Sequence, residues 1–322
     1  MGAPPSSPEN SGQGAFGAPT SRCDGWLKVT GRARYAADHP VEGVVHAVAI
    51  QSSIANGRVK KIDGSAAGKA PGFLAILHHG RAPRLHRPSN DFMSATKPGE
   101  VRVVFEDDKV HYAGQYIALV VAETLQQAEY AASLVKIEYE FAPPIVEIGQ
   151  AMKTIFDPAE FFGEKLTAER GDPEGAYRTA AVKRETAYTT PAEHHNPMEP
   201  SASIAQWDGD ELTLYETTQW VAGARNTVAE TLGIPAGKVH IVSPFIGGGF
   251  GCKGFVWPHS VLSAIAAKQV GRPVKLNLTR KQMFSACGHR SETRQKIRLG
   301  ATADGKLTAI LHDTLVETST VD

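Results

Sequence analysis

Residues 243–254 read SPFIGGGFGCKG, with five glycines in the last eight positions and a single phenylalanine, Phe250, among them. The stretch follows the β-type run KVHIVSP and precedes a segment, 257–270, that reads as a helix with Pro258 in its first turn. A glycine loop between strand and helix is where backbone N–H groups build an anion-binding concavity, helped by the helix dipole. The P-loop pattern fails, because Cys252 separates Gly251 from Lys253 and Gly254 follows the lysine. G-x-G-x-x-G does match at Gly249, Gly251 and Gly254, but the acidic residue that would hold a ribose about twenty positions on is missing. No Asp or Glu occurs between Glu230 and Glu292, whereas Lys238, Lys253, Lys268, Arg272, Lys275, Arg280, Lys281 and Arg290 all do. These surroundings suit an anionic ligand without fitting NAD. A glycine cluster also arises where two backbones pack closely or a positive φ is required, so a purely structural reading stands beside the functional one.

Outward from the loop, the chain reads as an α+β protein. The strand VKRETAYTT, a hairpin of SIAQW and ELTLYET turning at Asp208 and Gly209, and the helix-like VAGARNTVAETLG closed by Gly233 and Pro235 precede it. The strand VKLNLT and a hairpin turning at Asp304 and Gly305 follow. Nearer the N-terminus, VVHAVAI, RVKKI, FLAILHH, VRVVF, QYIALVVA and KIEYEF read as strands, and TLQQAEYAASLV as a helix. This divides the chain into a disordered Gly/Pro/Ser-rich tail at 1–23, a first domain at 24–144, an irregular linker at 145–183 and a second domain at 184–322.

Lys plus Arg equal Asp plus Glu at 34 each, which argues against nucleic acid or an anionic membrane as the main partner. The run YIALVVA is too short to span a bilayer, and the N-terminus lacks a basic and an apolar signal region, so a soluble chain without its own secretion signal is expected. Cys23, Cys252 and Cys287 are widely spaced and form no metal or disulfide pattern.

Taken together, SPFIGGGFGCKG, HHNPMEP at His194, TTQW at Thr217, LGIPAGKVHIVSP at Leu232 and GRPVKLNLTR at Gly271 resemble the molybdopterin-binding subunit of the xanthine dehydrogenase and aldehyde oxidase family. DGWLKVTGRARYAAD at Asp24 resembles the start of that family's α/β hammerhead domain. YTTPAEHHNPMEPSASIAQWDGDELTL is most similar to the bacterial periplasmic aldehyde oxidoreductase branch. The resemblance implies a hammerhead domain followed by the first part of a molybdopterin-binding domain. It implies that Gly248, Gly249 and Gly251 bring bare backbone and N–H donors to a molybdenum cofactor, that Gln219 sits near its apical oxo ligand, and that Phe250 lies against the metal centre. The family metal takes no protein ligand, so His194 and His195 are read as supporting residues and Glu199 as a brace of the fold.

The activity so implied is oxidation of aldehydes to carboxylic acids with water as the oxygen source. Gly254 stands where purine-oxidising members carry a glutamate, which favours aldehydes. The family's glutamate base and a substrate-positioning arginine lie in a part of the subunit beyond residue 322, so no catalytic residue is assigned. A fragment or split subunit is therefore expected, completed by a chain supplying the rest of the molybdenum domain, an iron–sulfur subunit and an FAD subunit. Its location is cytoplasmic, or periplasmic by co-export with a signal-bearing partner. Two alternatives are a non-catalytic remnant or assembly module, and a phosphate- or dinucleotide-binding enzyme using Gly249, Gly251 and Gly254.

Overall fold

Strands form where an apolar run can face a neighbour, and here two distant parts of the chain supply the neighbours for one sheet. The computed structural model describes residues 17, 21–89, 94–158, 160–161 and 164–319. Most of the tail expected at 1–23 lies outside the described residues. The first part of the chain runs α1 (Gly25–Val29), β1 (Val45–Gln51), β2 (Gly57–Asp63), β3 (Phe73–His78), β4 (Lys109–Val110), β5 (Tyr116–Ala122), α2 (Leu125–Ser133) and β6 (Lys136–Phe141). A small ribbon, β7 (Glu160–Phe161) with β8 (Glu164–Lys165), and α3 (Pro173–Thr179) follow. Then come β9 (Val182–Thr190), β10 (Ala202–Asp208), β11 (Glu211–Glu216), α4 (Val221–Leu232), β12 (Val239–Val242), α5 (Pro258–Val270), β13 (Val274–Asn277), α6 (Arg280–Met283), β14 (Thr293–Ala301) and β15 (Leu307–Val316).

Seven strands make the main sheet in the order β12-β11-β10-β13-β1-β5-β3. β1 and β13 pair in parallel, Val45 opposite Val274 and Ala47 opposite Leu276, while β13 pairs antiparallel to β10 on its other side. Strands from before residue 144 and after residue 184 thus share one sheet. β5 is buried along its whole length, as its unbroken apolar sequence requires of a strand covered on both faces. On one face α2 packs, its start fixed by a capping box between Thr124 and Gln127. On the other lies α5, buried continuously from His259 to Ala267, its polar His259, Ser260 and Ser263 enclosed along with its apolar residues. Gly233 and Gly271 end α4 and α5 in the left-handed conformation. Two smaller sheets, β4-β2-β6 and β15-β14-β9, flank this body.

The structure corrects the sequence reading in four places. VRVVF is a turn, not a strand: Phe105 takes φ 62°, Arg102 pairs with Asp107 at 2.5 Å, and Val103 and Phe105 reach the core from a loop. The segment expected to be irregular contains α3, capped by the Asp172 carboxylate, and the β7–β8 ribbon. The first hairpin turns at Gly209 and Asp210, since Asp208 still pairs with Glu211. α6, four residues with a Thr279–Gln282 capping box, has too little periodicity to be predicted. Among the described residues, no helix is long and apolar enough to cross a membrane.

Leu276, 1% exposed at the centre of the sheet, is a direct test of this core. Leu276→Ala is expected to lower stability by about 2–5 kcal/mol in chemical denaturation.

Candidate active site

β11 and β12 run parallel, with Tyr215 opposite Val242, so the segments leaving their C-terminal ends emerge side by side. One is TTQW and the other is the glycine loop, at the edge of a sheet where open α/β folds place ligands. Gln219 meets the loop twice. Its backbone N–H donates to the Lys253 carbonyl at 2.8 Å, and its Oε1 accepts the Gly251 N–H at 3.0 Å. A Cβ on Gly249 would lie 2.4 Å from that Oε1, so any side chain there would push the Gln219 amide out of its place. Gly248, Phe250 and Gly251 have φ of 93°, 53° and 102°, which winds the backbone so that carbonyls and N–H groups depart from any regular ladder. Among the described residues, no acceptor takes the N–H of Gly248, Gly249 or Phe250. Phe250, a non-glycine residue held at positive φ, is 63% exposed and its ring lies beside Gly248. Such backbone strain clusters at functional sites.

The sequence showed a basic surrounding free of acids, and the fold brings acids from elsewhere to three of its cations. Lys238 pairs with Asp210 and Glu211, and Arg272 with Glu123. Lys268 donates to the Gly209 carbonyl and lies over the Trp207 ring, and Arg280 donates to the Met198 carbonyl. Lys253, only 1% exposed, donates to the Glu199 carbonyl at 2.9 Å and to Glu199 Oε2 at 3.0 Å. What the loop presents is therefore unpaired N–H groups rather than an open cation. The G-x-G-x-x-G match also does not run directly into a helix, since Phe255, Val256 and Trp257 intervene between Gly254 and α5.

Beneath the loop sits a buried polar layer. The Glu216 carboxylate accepts from Ser203 Oγ and faces His259 Nε2 at 3.0 Å. Burial pushes the Cys252 thiol up and the Cys287 thiol up to about 12. His194 rests edge-on against Phe284 and beside His289, and desolvation lowers the pKa of both His194 and His195. Among the described residues, no three His, Cys, Asp or Glu side chains are grouped to hold a metal ion. Gln219, Gly248, Gly249, Phe250 and Gly251 come together in one loop cluster. The Glu199–Lys253 pair went unrecognised as a part of the site, because nothing in the sequence ties a glutamate to a lysine 54 residues later.

Residues 156–321 match the molybdopterin cofactor-binding domain, and residues 30–143 match the a/b hammerhead domain of aldehyde oxidase and xanthine dehydrogenase. The chain belongs to the aldehyde oxidase and xanthine dehydrogenase family. Within it, the chain is 40% identical to the aldehyde oxidoreductase molybdenum-binding subunit PaoC of Escherichia coli, over 92% of this chain and 39% of that protein. It is 32% identical to the carbon monoxide dehydrogenase large chain of Hydrogenophaga pseudoflava, over 87% of this chain and 37% of the relative. The aldehyde oxidoreductase of Desulfovibrio gigas superposes with a TM-score of 0.78 at 26% identity, covering 92% of this chain and 34% of that one. The chain thus spans about two fifths of the length of the curated relatives it matches.

Two outcomes test this geometry. In the native protein a thiol reagent at neutral pH is expected to label Cys23 alone, with Cys252 and Cys287 reacting after unfolding. Gly249→Ala is expected to destabilise by roughly 1–3 kcal/mol, and Gly249→Ala with Gln219→Ala by less than the sum of the two single changes, because removing the amide relieves the clash.

Proposed function

We propose that this chain forms the glycine-loop wall of a molybdopterin site in an enzyme that oxidises aldehydes to carboxylic acids. The observation that carries the reading is the row of N–H groups on Gly248, Gly249 and Phe250, without acceptors among the described residues and beside the Gln219 amide. These residues fit an electron-rich, oxygen- and sulfur-bearing group: they offer donors and no side chain in the approach, and a Cβ at Gly251 would meet nothing within 4 Å. When bound, a molybdopterin cofactor supplies two-electron redox chemistry that transfers an oxygen atom from water to the substrate carbon.

The chain's own residues orient and enclose. Gln219 spends its Oε1 on the Gly251 N–H, which leaves its Nε2 hydrogens to donate to the cofactor. The Gly251 N–H is correspondingly engaged, so Gly248, Gly249 and Phe250 supply the backbone donors. Phe250, exposed from a strained backbone, covers the reaction centre and excludes water. Gly254 leaves space where a carboxylate would read a purine, since nothing lies within 4 Å of its Cβ position. The name of the PaoC relative supports aldehyde as the substrate class. The general base, iron–sulfur clusters and FAD are contributed by further chains or domains of the assembly, which works in the cytoplasm or in the periplasm after export with a signal-bearing partner.

The test is the assembled enzyme's molybdenum and pterin content together with aldehyde oxidation in ¹⁸O-labelled water. Label in the carboxylate product is expected; a cofactor-free preparation, or an unlabelled acid, would overturn the reading. Gly254→Glu, whose Cβ would meet nothing within 4 Å, is expected to raise kcat/KM for hypoxanthine relative to an aromatic aldehyde by roughly 10- to 150-fold, the worth of one hydrogen bond to a charged group.

A further inference from the structure

We propose that Glu199 is the positioning residue of the glycine loop and that the buried Lys253 acts through it. The proposal rests on the reading of the loop as a cofactor contact. Glu199 Oε2 alone receives both the Gly247 N–H at 2.7 Å and the Lys253 ammonium at 3.0 Å. The backbone of the same residue adds two bonds, its N–H to the Gly247 carbonyl at 3.1 Å and its carbonyl from Lys253 Nζ at 2.9 Å. Gly247 and Lys253 are the two stems of the loop; between them lie Gly248, Gly249 and Phe250, whose N–H groups find no acceptor among the described residues, and the positive-φ residues Gly248, Phe250 and Gly251. One side chain therefore closes the loop from below.

The floor from which Glu199 acts is itself fixed. Met198 offers its carbonyl to Arg280, the Ser201 carbonyl accepts the Leu278 N–H at 3.0 Å, and the Glu193 backbone exchanges hydrogen bonds with that of Arg290. Contact between floor and loop is close enough to demand glycine, since a Cβ on Gly247 would lie 2.4 Å from Glu199 Cβ. Charge then makes the contact specific. A lysine ammonium taken out of water needs a carboxylate within hydrogen-bond reach, and Glu199 is its carboxylate partner. Lys253 passes the constraint on, because its carbonyl accepts the Gln219 N–H at 2.8 Å and Gln219 Oε1 in turn holds the Gly251 N–H. Glu199 thus sets Gln219 as well as the backbone donors, from beneath the loop and without touching the substrate.

The experiment compares Glu199→Ala, Glu199→Gln and the core variant Leu276→Ala with the wild type in the assembled holoenzyme, by hydrogen exchange of peptides covering 243–256 and by retained molybdenum and pterin. Glu199→Ala is expected to speed exchange in 243–256 by roughly 10- to 150-fold while strand peptides of the main sheet stay protected, with loss of cofactor on dialysis. Glu199→Gln is expected to fall between, because its amide oxygen still accepts the Gly247 N–H but leaves Lys253 without a carboxylate. Leu276→Ala should speed exchange across the sheet with no selective effect on the loop. Should Glu199→Ala fail to fold, Glu199→Gln carries the comparison. Unchanged loop exchange in the Glu199 variants, or a change matched by every other peptide, overturns the proposal. A wild-type enzyme free of molybdopterin would instead overturn the proposed function, and the exchange readout would still decide the role of Glu199.

Discussion

Val45, His46 and Ala47 lie in parallel register with Val274, Lys275 and Leu276, and the Pro273 carbonyl extends this ladder by accepting the Val45 N–H at 2.8 Å. On one side of the ladder stand β5 and β3, on the other β10, β11 and β12. The main core exists only when both sides are present, since it combines Leu77, Leu119 and Val121 from one with Ala205, Leu212 and Leu214 from the other. α5 packs across the joint, touching β10 and β13 as well as β3 and β5. The glycine loop hangs from this arrangement: its incoming strand, β12, is held by β11, and its outgoing helix is the one most deeply buried.

The loop's glycines answer different physical demands. Gly247 and Gly249 are glycine because a neighbour's side chain occupies the space a Cβ would need. Gly248 and Gly251 share a positive φ that L-residues seldom adopt; around Gly251 the space is open, whereas a Cβ on Gly248 would crowd the Phe250 ring at 3.2 Å and Pro197 at 3.3 Å. Gly254 has neither constraint, since a Cβ there would meet nothing within 4 Å and its φ is not positive. A run that looks uniform in sequence is thus a composite of close packing, backbone handedness and access.

Much of this was legible in the sequence, for identifiable reasons. β5 announces itself because burial on both faces demands unbroken apolar residues, α5 because Pro258 marks its first turn, and the stop at Gly233 because the left-handed conformation favours glycine. VRVVF misleads because apolar residues in a turn can reach a core as well as those in a strand; the positive φ of Phe105 and the Arg102–Asp107 pair mark the turn. The motif residues Gln219 and Gly248 to Gly251 could be named in advance, since local patterns and a family resemblance carry them. The pairing of Arg272, Lys238 and Lys253 with distant carboxylates could not. Each of Glu123, Asp210 and Glu199 reaches its cation through tertiary folding, and charge counted along the chain does not report charge counted across space.

The β1–β13 ladder also sets a schedule for the nascent chain. Gly43 and Arg272, which bond where the two strands begin, are 229 residues apart. At about 5–20 residues per second of synthesis, β1 waits roughly 10–45 s for its partner to be made. During that interval the hairpin-like set of β1, β5 and β3 has an unpaired edge on β1 and an apolar face awaiting α5. The first hundred or so residues, which look like a module of their own, are on this topology a guest awaiting its host, and a slowed ribosome or a missing holdase will be felt first as aggregation of that early segment.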